Sequence, residues 1–317
     1  MRPAVPRTIL AADWGKSEGK RRAVRINTGT LTVESVPAKA AASLEGLLTV
    51  APERGTLIGV DAVFGIPEYV GRAAGAKSFP DWLARGQATP RFFEAVRRAE
   101  DWGPWRPFWV NPHGAGSQTR FFSTILASHA GFPSDHALRR KIDRWVSAKP
   151  PTCVAGMPGT VGSGTAALWQ ELDAAKELAV WPFAGLDLPR LLTGRSPVLV
   201  EAYPALCYGI VLAESLPAGS VWVAKTKRAE RIKTLGRLTR SPAWEPKLTI
   251  AEDLWEAATE CEDDFDALFL GLALCRLAWE GQLNPGPSTL APQPDPAFEG
   301  GIVGSWCITK VRHYAAG

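Results

Sequence analysis

Short apolar runs that end in a carboxylate recur along this chain. Three of them, at residues 8–12, 57–60 and 198–200, are followed directly by Asp13, Asp61 and Glu201. Short aliphatic runs bounded by turn residues are typical of buried strands. In an open α/β sheet, ligands bind at the carboxyl ends of the parallel strands. The pattern therefore predicts that these three acids meet at one edge of a sheet.

The first 61 residues predict a strand, a hairpin, a helix and a parallel strand. The strands are expected at 7–13, 20–26, 30–35 and 57–61. Asn27-Thr28-Gly29 separates the second from the third, as in a hairpin with glycine at the end of its turn. The Ala/Leu-rich residues 37–50 have helical spacing, so the strand that follows should lie parallel to the first.

Beyond residue 67 the pattern changes. Residues 68–195 are rich in Trp, Pro, Arg and Gly and predict a mostly helical insertion that covers the sheet, with helices near 90–101, 119–130 and 134–147. The fifth strand is expected at 197–201, and later helices at 205–216, 225–240 and 263–280. A connector begins at 282, with a possible edge strand within 298–309. We thus expect one domain over residues 1–317, an α/β fold with a mixed five-stranded sheet flanked by helices.

The last helix carries acids in its first turn. Asp263 and Asp266 are three residues apart and share a face, while Asp264 lies roughly 100° round the axis. Ala267, Gly271 and Cys275 continue the shared face with small side chains, which would let the helix approach the sheet closely. Acids at this position are also favoured by the helix dipole and by N-capping, which is the alternative explanation.

Carboxylates that converge on one point repel one another unless a cation lies between them. We therefore predict that Asp13, Asp61, Asp263 and Asp266 bind Mg²⁺ or Mn²⁺, since both ions prefer hard oxygen ligands. Glu201 is predicted to be a further ligand, a general base, or an acid paired with a neighbouring Lys or Arg. Singly, Asp13 and Asp61 are each equally explained as residues that end a strand. The predicted catalytic residues are Asp13, Asp61, Glu201 and Asp266.

Several segments are candidates for phosphate contact. A Gly/Ser/Thr loop at 157–165 leads into a predicted helix and could present the N–H groups of Gly162 and Ser163 to a phosphate. Residues 225–240 hold seven basic residues and one acid, and 139–144 hold a second basic cluster. Such segments are more often a capped loop and solvated helix faces. The specific candidates are Lys16, Gly162, Ser163, Lys225, Lys227 and Arg228.

Composition limits the class of protein. The net charge of +4 is too small to indicate a nucleic-acid partner by itself, and 46% hydrophobic residues are ordinary for a globular protein. The five cysteines form no Cys-x-x-Cys pair and are odd in number, which favours reduced thiols. We see no signal peptide and no apolar run of membrane-spanning length, so we expect a cytoplasmic protein without a membrane partner.

Six motifs, in order, resemble the predicted RNase H-like nuclease family, known as domain of unknown function 429. They are Ala12-Asp13-Trp14-Gly15, Ile58 to Ala62 with Gly65-Ile66-Pro67, Gly159 to Thr165, Val180 to Phe183, Val200 to Pro204, and Asp263 to Leu268. The last also resembles the terminal-helix Asp-x-x-Asp-Ala-Leu of Holliday-junction resolvases. The resemblance covers residues 8 to 305 and implies a ribonuclease H-like fold and a metal-dependent nuclease acting on nucleic acid or another phosphoester.

Two other classes remain open. Asp13-Trp14-Gly15 after a first strand also resembles the first phosphate loop of the actin/sugar-kinase superfamily, which implies an ATP-dependent phosphotransferase. That class requires Thr or Ser after the loop glycine and a second Gly-rich motif, and Lys16 follows here instead. The third possibility is a catalytically inactive RNase H-like module that binds nucleic acid or protein. Metal binding at the predicted aspartates would separate the nuclease from the inactive module.

Overall fold

The structure is a computed structural model of the chain. It describes residues 5–50, 54–114, 116–129, 131–132, 135–156, 160–172, 175, 177–219, 221–244, 248–284 and 295–310. Two compact units can be distinguished. The first comprises Met1–Asp61, Ala175–Ala291 and Ile302–Gly317, and the second comprises Ala62–Ala174 and Pro292–Gly301.

The strands are numbered in chain order. They are β1 (Thr8–Asp13), β2 (Arg22–Asn27), β3 (Thr32–Ser35), β4 (Thr56–Val60), β5 (Trp109–Val110), β6 (Cys153–Ala155), β7 (Ala179–Val180), β8 (Val198–Glu201), β9 (Ala218–Gly219), β10 (Thr249–Ile250) and β11 (Ile308–Lys310). The main sheet has the order β10-β3-β2-β1-β4-β8-β7. Strand β2 is antiparallel to both β1 and β3, whereas β1, β4 and β8 run parallel.

The helices are also numbered in chain order. They are α1 (Ala38–Ala41), α2 (Leu44–Val50), α3 (Glu68–Ala73), α4 (Phe79–Gln87), α5 (Ser117–Ser128), α6 (Lys141–Trp145), α7 (Gly162–Leu172), α8 (Leu188–Leu192), α9 (Pro204–Leu212), α10 (Arg228–Thr239), α11 (Glu252–Glu260) and α12 (Glu262–Trp279). In the first unit α12 packs against β1, β2 and α9. Within α12, every residue from Phe265 to Ala278 is buried, so this helix forms the centre of the core.

The predicted α/β class, with a mixed sheet flanked by helices, is confirmed. The predicted count of five strands is wrong for the described residues, because the sheet has seven strands. The additional strands, β7 and β10, are two residues long and lie at its two edges. Two residues carry too little periodicity to be recognised in a sequence. The five predicted strands are consecutive neighbours in the order β3-β2-β1-β4-β8.

Three predicted helices differ from the structure. The helix at 37–50 divides into α1 and α2, because the Ser43 hydroxyl accepts a hydrogen bond from the Gly46 N–H at 3.0 Å and starts a new helix. The helix at 90–101 reduces to a 3-10 turn at Ala99–Asp101. There Val96 N donates to Phe108 O at 2.8 Å and Val96 O accepts from Val110 N, so strand-like pairing replaces the helix. The helix at 134–147 reduces to a 3-10 turn and α6.

The predicted edge strand within 298–309 is not part of the main sheet. Strand β11 pairs instead with β9 in a separate two-stranded sheet. Ile302 forms an isolated bridge with Glu201 at the end of β8. This part of the chain thus reaches the main sheet at the carboxyl end of β8.

The second unit contains α3 to α7 and the small parallel sheet of β5 and β6. Its core is aromatic. Trp82 packs against Phe92 and Trp169 with ring centroids 4.9 and 5.6 Å apart, and Phe108 contacts Trp169 at 5.4 Å. All four side chains are buried, so Trp82 and Trp169 serve packing. Over the described part of the chain, no helix combines the length and apolar character needed to cross a membrane.

Candidate active site

Asp13 and Asp61 lie beside each other at the carboxyl ends of two adjacent parallel strands. Asp13 is the last residue of β1, and Asp61 directly follows β4. Ala12 and Val60 are in register, and the Asp61 N–H donates to Ala12 O at 3.1 Å, so the pairing continues to the aspartates. Both strands are almost wholly buried, and both aspartates are partly buried. The hydrophobic runs therefore fix the two carboxylates at one edge of the sheet.

Glu201 ends the next strand, β8, but in a different orientation. It is in register with Val60, one residue before Asp61. Because side chains alternate along a strand, Glu201 leaves the sheet on the face opposite to Val200 and Gly59. Helix α12 lies on the Gly59 face, since a Cβ there would meet Leu274. Glu201 is buried. Its charge raises the pKa of Asp61, although less than burial and Asp266 do, so Glu201 lies near Asp61.

Asp266 reaches the same edge from α12. This helix approaches the sheet closely at Gly271, where a Cβ would lie 2.8 Å from Val24 Cγ2 and 3.0 Å from Ile26 Cδ1. A glycine at this position allows the helix to pack against β1 and β2. The carboxyl of Asp266, one turn earlier in the helix, is then fully buried, with an exposed fraction of 0%.

Two side chains contact the buried carboxyl of Asp266. The Tyr208 hydroxyl, from α9, donates to Oδ1, and the Lys225 ammonium forms an ion pair with Oδ2. Burial raises the pKa of Asp266 even though both partners favour its charged form. Burial lowers the pKa of Lys225, but Asp266, Asp13 and Asp61 outweigh this and raise it.

The neighbouring acids of α12 differ in their surroundings. Asp263 lies close enough to Asp13 to raise the pKa of the Asp13 carboxyl group. Asp264 instead forms an ion pair with Arg22 of β2 at 3.3 Å, and burial raises its pKa. Asp263 therefore belongs with Asp13, Asp61 and Asp266. We call these four residues the aspartate cluster. The ion pair of Asp264 with Arg22 links α12 to β2.

Burial and the repulsion between neighbouring acids raise the pKa of two carboxyl groups in the cluster. Burial, followed by Asp61, Asp266 and Asp263, raises the pKa of Asp13 well above its ordinary value. Burial, followed by Asp266, raises the pKa of Asp61 to about 7. In both cases Lys225 acts in the opposite direction without cancelling the shift. Perturbed carboxyl groups of this kind concentrate at functional sites.

The donor atoms are all carboxylate oxygens, the type of ligand that Mg²⁺ and Mn²⁺ prefer. In the structure, the Lys225 ammonium forms an ion pair with Oδ2 of Asp266. No set of three or more His, Cys, Asp or Glu side chains in the described ranges is placed to hold a metal ion. The binding of Mg²⁺ or Mn²⁺ by these acids stays a prediction.

Two of the predicted phosphate contacts lie in the second unit and have structural functions there. Gly162, the first residue of α7, is buried against β6, and a Cβ would clash with the backbone of Cys153. The Ser163 hydroxyl donates to Val154 O at 3.0 Å. Residues 157–159 of the predicted loop lie outside the described residues. Contact of Gly162 and Ser163 with a phosphate stays a prediction.

The basic cluster at 139–144 is also partly structural. Arg140 is fully buried, forms an ion pair with Asp143, and donates to the carbonyls of Phe64 and Glu299 at 2.7 and 3.2 Å. A buried guanidinium with these partners is not available to a polyanion. The expectation that this cluster contacts a phosphate backbone is therefore wrong for Arg140.

The remaining basic candidates lie in the first unit. Lys16 is exposed in the loop after β1, and Lys227 is exposed two residues beyond Lys225. Arg228 forms an exposed ion pair with Glu260, with Nε 2.7 Å from Oε1. The structure thus brings Lys225 to the aspartates and leaves Lys227 at the surface next to it.

The surroundings of three further residues were not predicted. Tyr208 is buried in the apolar helix α9, and nothing in its sequence context points to Asp266, 58 positions later. Arg231 belongs to a basic run that is typical of a solvated face, yet it is buried. Trp222 has 67% of its surface exposed, which is unusual for tryptophan and cannot be told from sequence.

Comparisons of the chain with protein-family models, with curated proteins and with solved structures found no match.

Proposed function

We propose that this protein is a divalent-metal-dependent phosphodiester hydrolase with a ribonuclease H-like fold, acting as a nuclease. The observation that carries the proposal is the convergence of Asp13, Asp61 and Asp266. Two adjacent parallel strands and one helix deliver their carboxyl groups to one edge of the sheet, where burial, followed by the neighbouring acids, raises the pKa of Asp13 and of Asp61. The strand order β3-β2-β1-β4-β8, with β2 antiparallel to its neighbours, supports the assignment of fold.

In this proposal Asp13, Asp61 and Asp266 hold Mg²⁺ or Mn²⁺, with Asp263 at the edge of the site. A bound divalent ion would lower the pKa of a water molecule and neutralise charge on the phosphate. Tyr208 fixes the orientation of the Asp266 carboxyl by its hydrogen bond. Burial, followed by Asp266, raises the pKa of Asp61 to about 7, and a bound cation would favour the charged form of this carboxyl group. Glu201 is buried next to it and contributes negative charge.

The proposed substrate is a nucleic acid, and the segment around Lys225 supports this class. Lys227 is exposed, and Trp222 exposes an indole five positions earlier on the same segment. Cationic groups beside an exposed aromatic ring are typical of surfaces that bind single-stranded nucleic acid. A cytoplasmic location also belongs to the proposal, because the five cysteines are free thiols, as in reducing compartments.

A second candidate function is the catalytically inactive module that binds nucleic acid or protein. One observation favours it. The Lys225 ammonium neutralises Asp266, so the protein holds a cation of its own where a metal ligand is proposed. A module of this kind would keep the carboxylates for the stability of the sheet edge and would bind no metal. No contact of the described residues favours the phosphotransferase.

The deciding experiment is calorimetric titration with Mn²⁺, paired with cleavage assays on fluorescent single-stranded DNA and RNA. We expect the wild-type protein to bind Mn²⁺ and to cleave at least one substrate, and EDTA to abolish cleavage. Asp13→Asn should lose both properties. Asp253→Asn, which changes an exposed acid of α11, is the matched control and should keep both. Equal Mn²⁺ affinity in Asp13→Asn and the wild type would contradict the proposal, and absence of Mn²⁺ binding by the wild type would favour the inactive module.

A further inference from the structure

Lys225 brings a cationic group to the aspartate cluster from a loop. The loop joins β9 to α10, and the Lys225 ammonium contacts Oδ2 of Asp266. The two partners differ in access to water. The side chain of Lys225 is 35% exposed, while that of Asp266 is fully buried. The cation can therefore leave toward solvent, whereas the acid remains in place.

The backbone of this loop is fixed by Arg231. Its guanidinium donates from Nη1 to Lys225 O at 2.5 Å, from Nε to Thr259 O at 3.0 Å and from Nη2 to Glu260 O at 2.8 Å. The last two carbonyls end α11, directly before α12 and Asp266. Arg231 thus ties the loop to the helix that carries the acid. Only the flexible side chain of Lys225 has to move for its ammonium to leave the carboxyl.

A permanent structural ion pair in the same protein has a different form. Arg140 and Asp143 have exposed fractions of 0% and 1%, and two carbonyl oxygens accept from the same guanidinium. A planar guanidinium with several fixed partners cannot be exchanged without loss of the whole network. Lys225 is instead a point charge on a four-carbon chain that is open to water on one side.

We propose that Lys225 is a built-in counter-ion of the aspartate cluster that competes with the divalent cation. In the metal-free protein its ammonium neutralises Asp266 and allows the carboxylates to converge. The bound cation displaces the ammonium, which then lies next to the ion and binds a phosphate oxygen of the substrate. This inference rests on the proposed metal site and adds the residue that controls its occupancy.

The first test is the Mn²⁺ affinity of Lys225→Met, measured by calorimetry. Methionine keeps most of the length of the side chain and removes its charge. We expect Lys225→Met to bind Mn²⁺ at least about tenfold more tightly than the wild type, a scale on which groups beside a metal site change its affinity. Lys233→Met removes the same charge from a side chain of α10 that is 70% exposed, and it should bind as the wild type does. In EDTA, Lys225→Met should unfold at lower urea concentration than the wild type, and Mn²⁺ should reverse the difference.

The second test uses the wild-type chain, so its result does not depend on the folding of a variant. In protein labelled with ¹⁵N-lysine, the Lys225 ammonium should give a protected NMR signal in EDTA. Saturating Mg²⁺ should shift that signal and speed its exchange with water. A signal that Mg²⁺ leaves unchanged, while calorimetry shows that Mg²⁺ binds, overturns this inference and leaves the proposed function intact.

The remaining outcomes separate the two proposals. If Lys225→Met binds Mn²⁺ and the wild type does not, the result would support the role of Lys225 as a counter-ion. It would contradict the proposal of a metal-dependent hydrolase. Absence of binding in both proteins would overturn both proposals. Equal or weaker binding by Lys225→Met than by a metal-binding wild type would overturn the counter-ion alone.

Discussion

The Tyr208 hydroxyl donates a hydrogen bond to Oδ1 of Asp266 in the interior of the first unit. Both residues belong to helices, α9 and α12, that pack against each other. Burial and the neighbouring Asp266 raise the pKa of Tyr208 well above its ordinary value, so the hydroxyl keeps its proton and acts as a donor. A buried carboxyl group that loses such a donor is left with unmet polar capacity.

We expect Tyr208→Phe to lower the free energy of unfolding of the metal-free protein by about 1–3 kcal/mol, because the buried Asp266 loses one of its partners. Urea unfolding followed by circular dichroism measures the change. Tyr69→Phe removes a hydroxyl from a tyrosine that is 39% exposed and should change stability by less than about 0.5 kcal/mol. Equal effects of the two substitutions would show that the hydrogen bond to Asp266 contributes nothing specific.

The closeness of α12 to the sheet gives a second prediction. Gly271→Ala should lower the free energy of unfolding by about 1–3 kcal/mol, because the added methyl group meets Val24 and Ile26 in a filled core. Gly236→Ala is the matched control in α10. There the nearest atoms belong to the flexible Arg240 side chain, at 3.5 Å, so the change should stabilise the helix by up to about 1 kcal/mol. A Gly271→Ala protein as stable as the wild type would mean that α12 does not need this close approach.

Much of the main sheet follows from the sequence because its strands are continuous apolar runs. β1, β4 and β8 are buried along nearly their whole length, so composition alone marks them, and the crossover rule orients them. The acids that follow them could be recognised for the same reason. The edge strands β7 and β10 escaped recognition because two residues that pair only at an edge leave no periodic signal.

The surroundings of the aspartates were much less predictable than the aspartates themselves. The sequence pattern predicted that Lys225 contacts a phosphate, whereas in the structure its ammonium contacts Asp266, 41 positions away. Arg231 lies in a basic run that is typical of a solvated face, but it is buried by contacts with the end of α11. Periodicity reports which face of a helix is apolar, and it carries no information on a charged side chain that finds its partner through tertiary packing.

The raised pKa of Asp61 predicts how stability depends on pH. With a pKa of about 7 against 3.8 for the ordinary group, the folded metal-free protein keeps a proton that the unfolded chain has released. The folded state then binds more protons, so the free energy of unfolding falls as pH rises from about 4 to about 7, by at most about 1.4 kcal/mol per pH unit for this single group. The stabilisation is complete below pH 4 and is lost as pH rises through the folded pKa.

We therefore expect Asp61→Asn in EDTA to show a weaker loss of stability between pH 4 and 7 and to be more stable than the wild type at pH 7. Urea midpoints at intervals of half a pH unit measure both effects. Asp253→Asn changes an exposed acid and should follow the wild-type profile. A parallel profile for Asp61→Asn, displaced by a constant amount, would mean that another group titrates in this range.

The exposed face beside Lys225 gives a prediction about nucleic acid. If this face binds the phosphate backbone, the affinity for a fluorescent oligonucleotide in Ca²⁺ should fall steeply with salt, because each contacted phosphate releases a counterion. Lys227→Ala should reduce the slope of log affinity against log salt by about 1, the value expected for one phosphate contact. Fluorescence anisotropy measures the affinity at KCl concentrations between about 50 and 300 mM, a range wide enough to resolve that slope.

Lys233→Ala provides the matched control for this measurement. Lys233 lies in α10, and its ammonium is 3.6 Å from a carboxylate oxygen of Glu230, so its charge is already compensated by an acid. The control should therefore leave the slope unchanged. Trp222→Ala should weaken binding by about 1–3 kcal/mol without changing the slope, because stacking on a base releases no counterion. Equal slopes for Lys227→Ala and Lys233→Ala would remove the nucleic-acid substrate from the proposal and leave a hydrolase of small phosphoesters, for which a metal site at Asp13, Asp61 and Asp266 is still required.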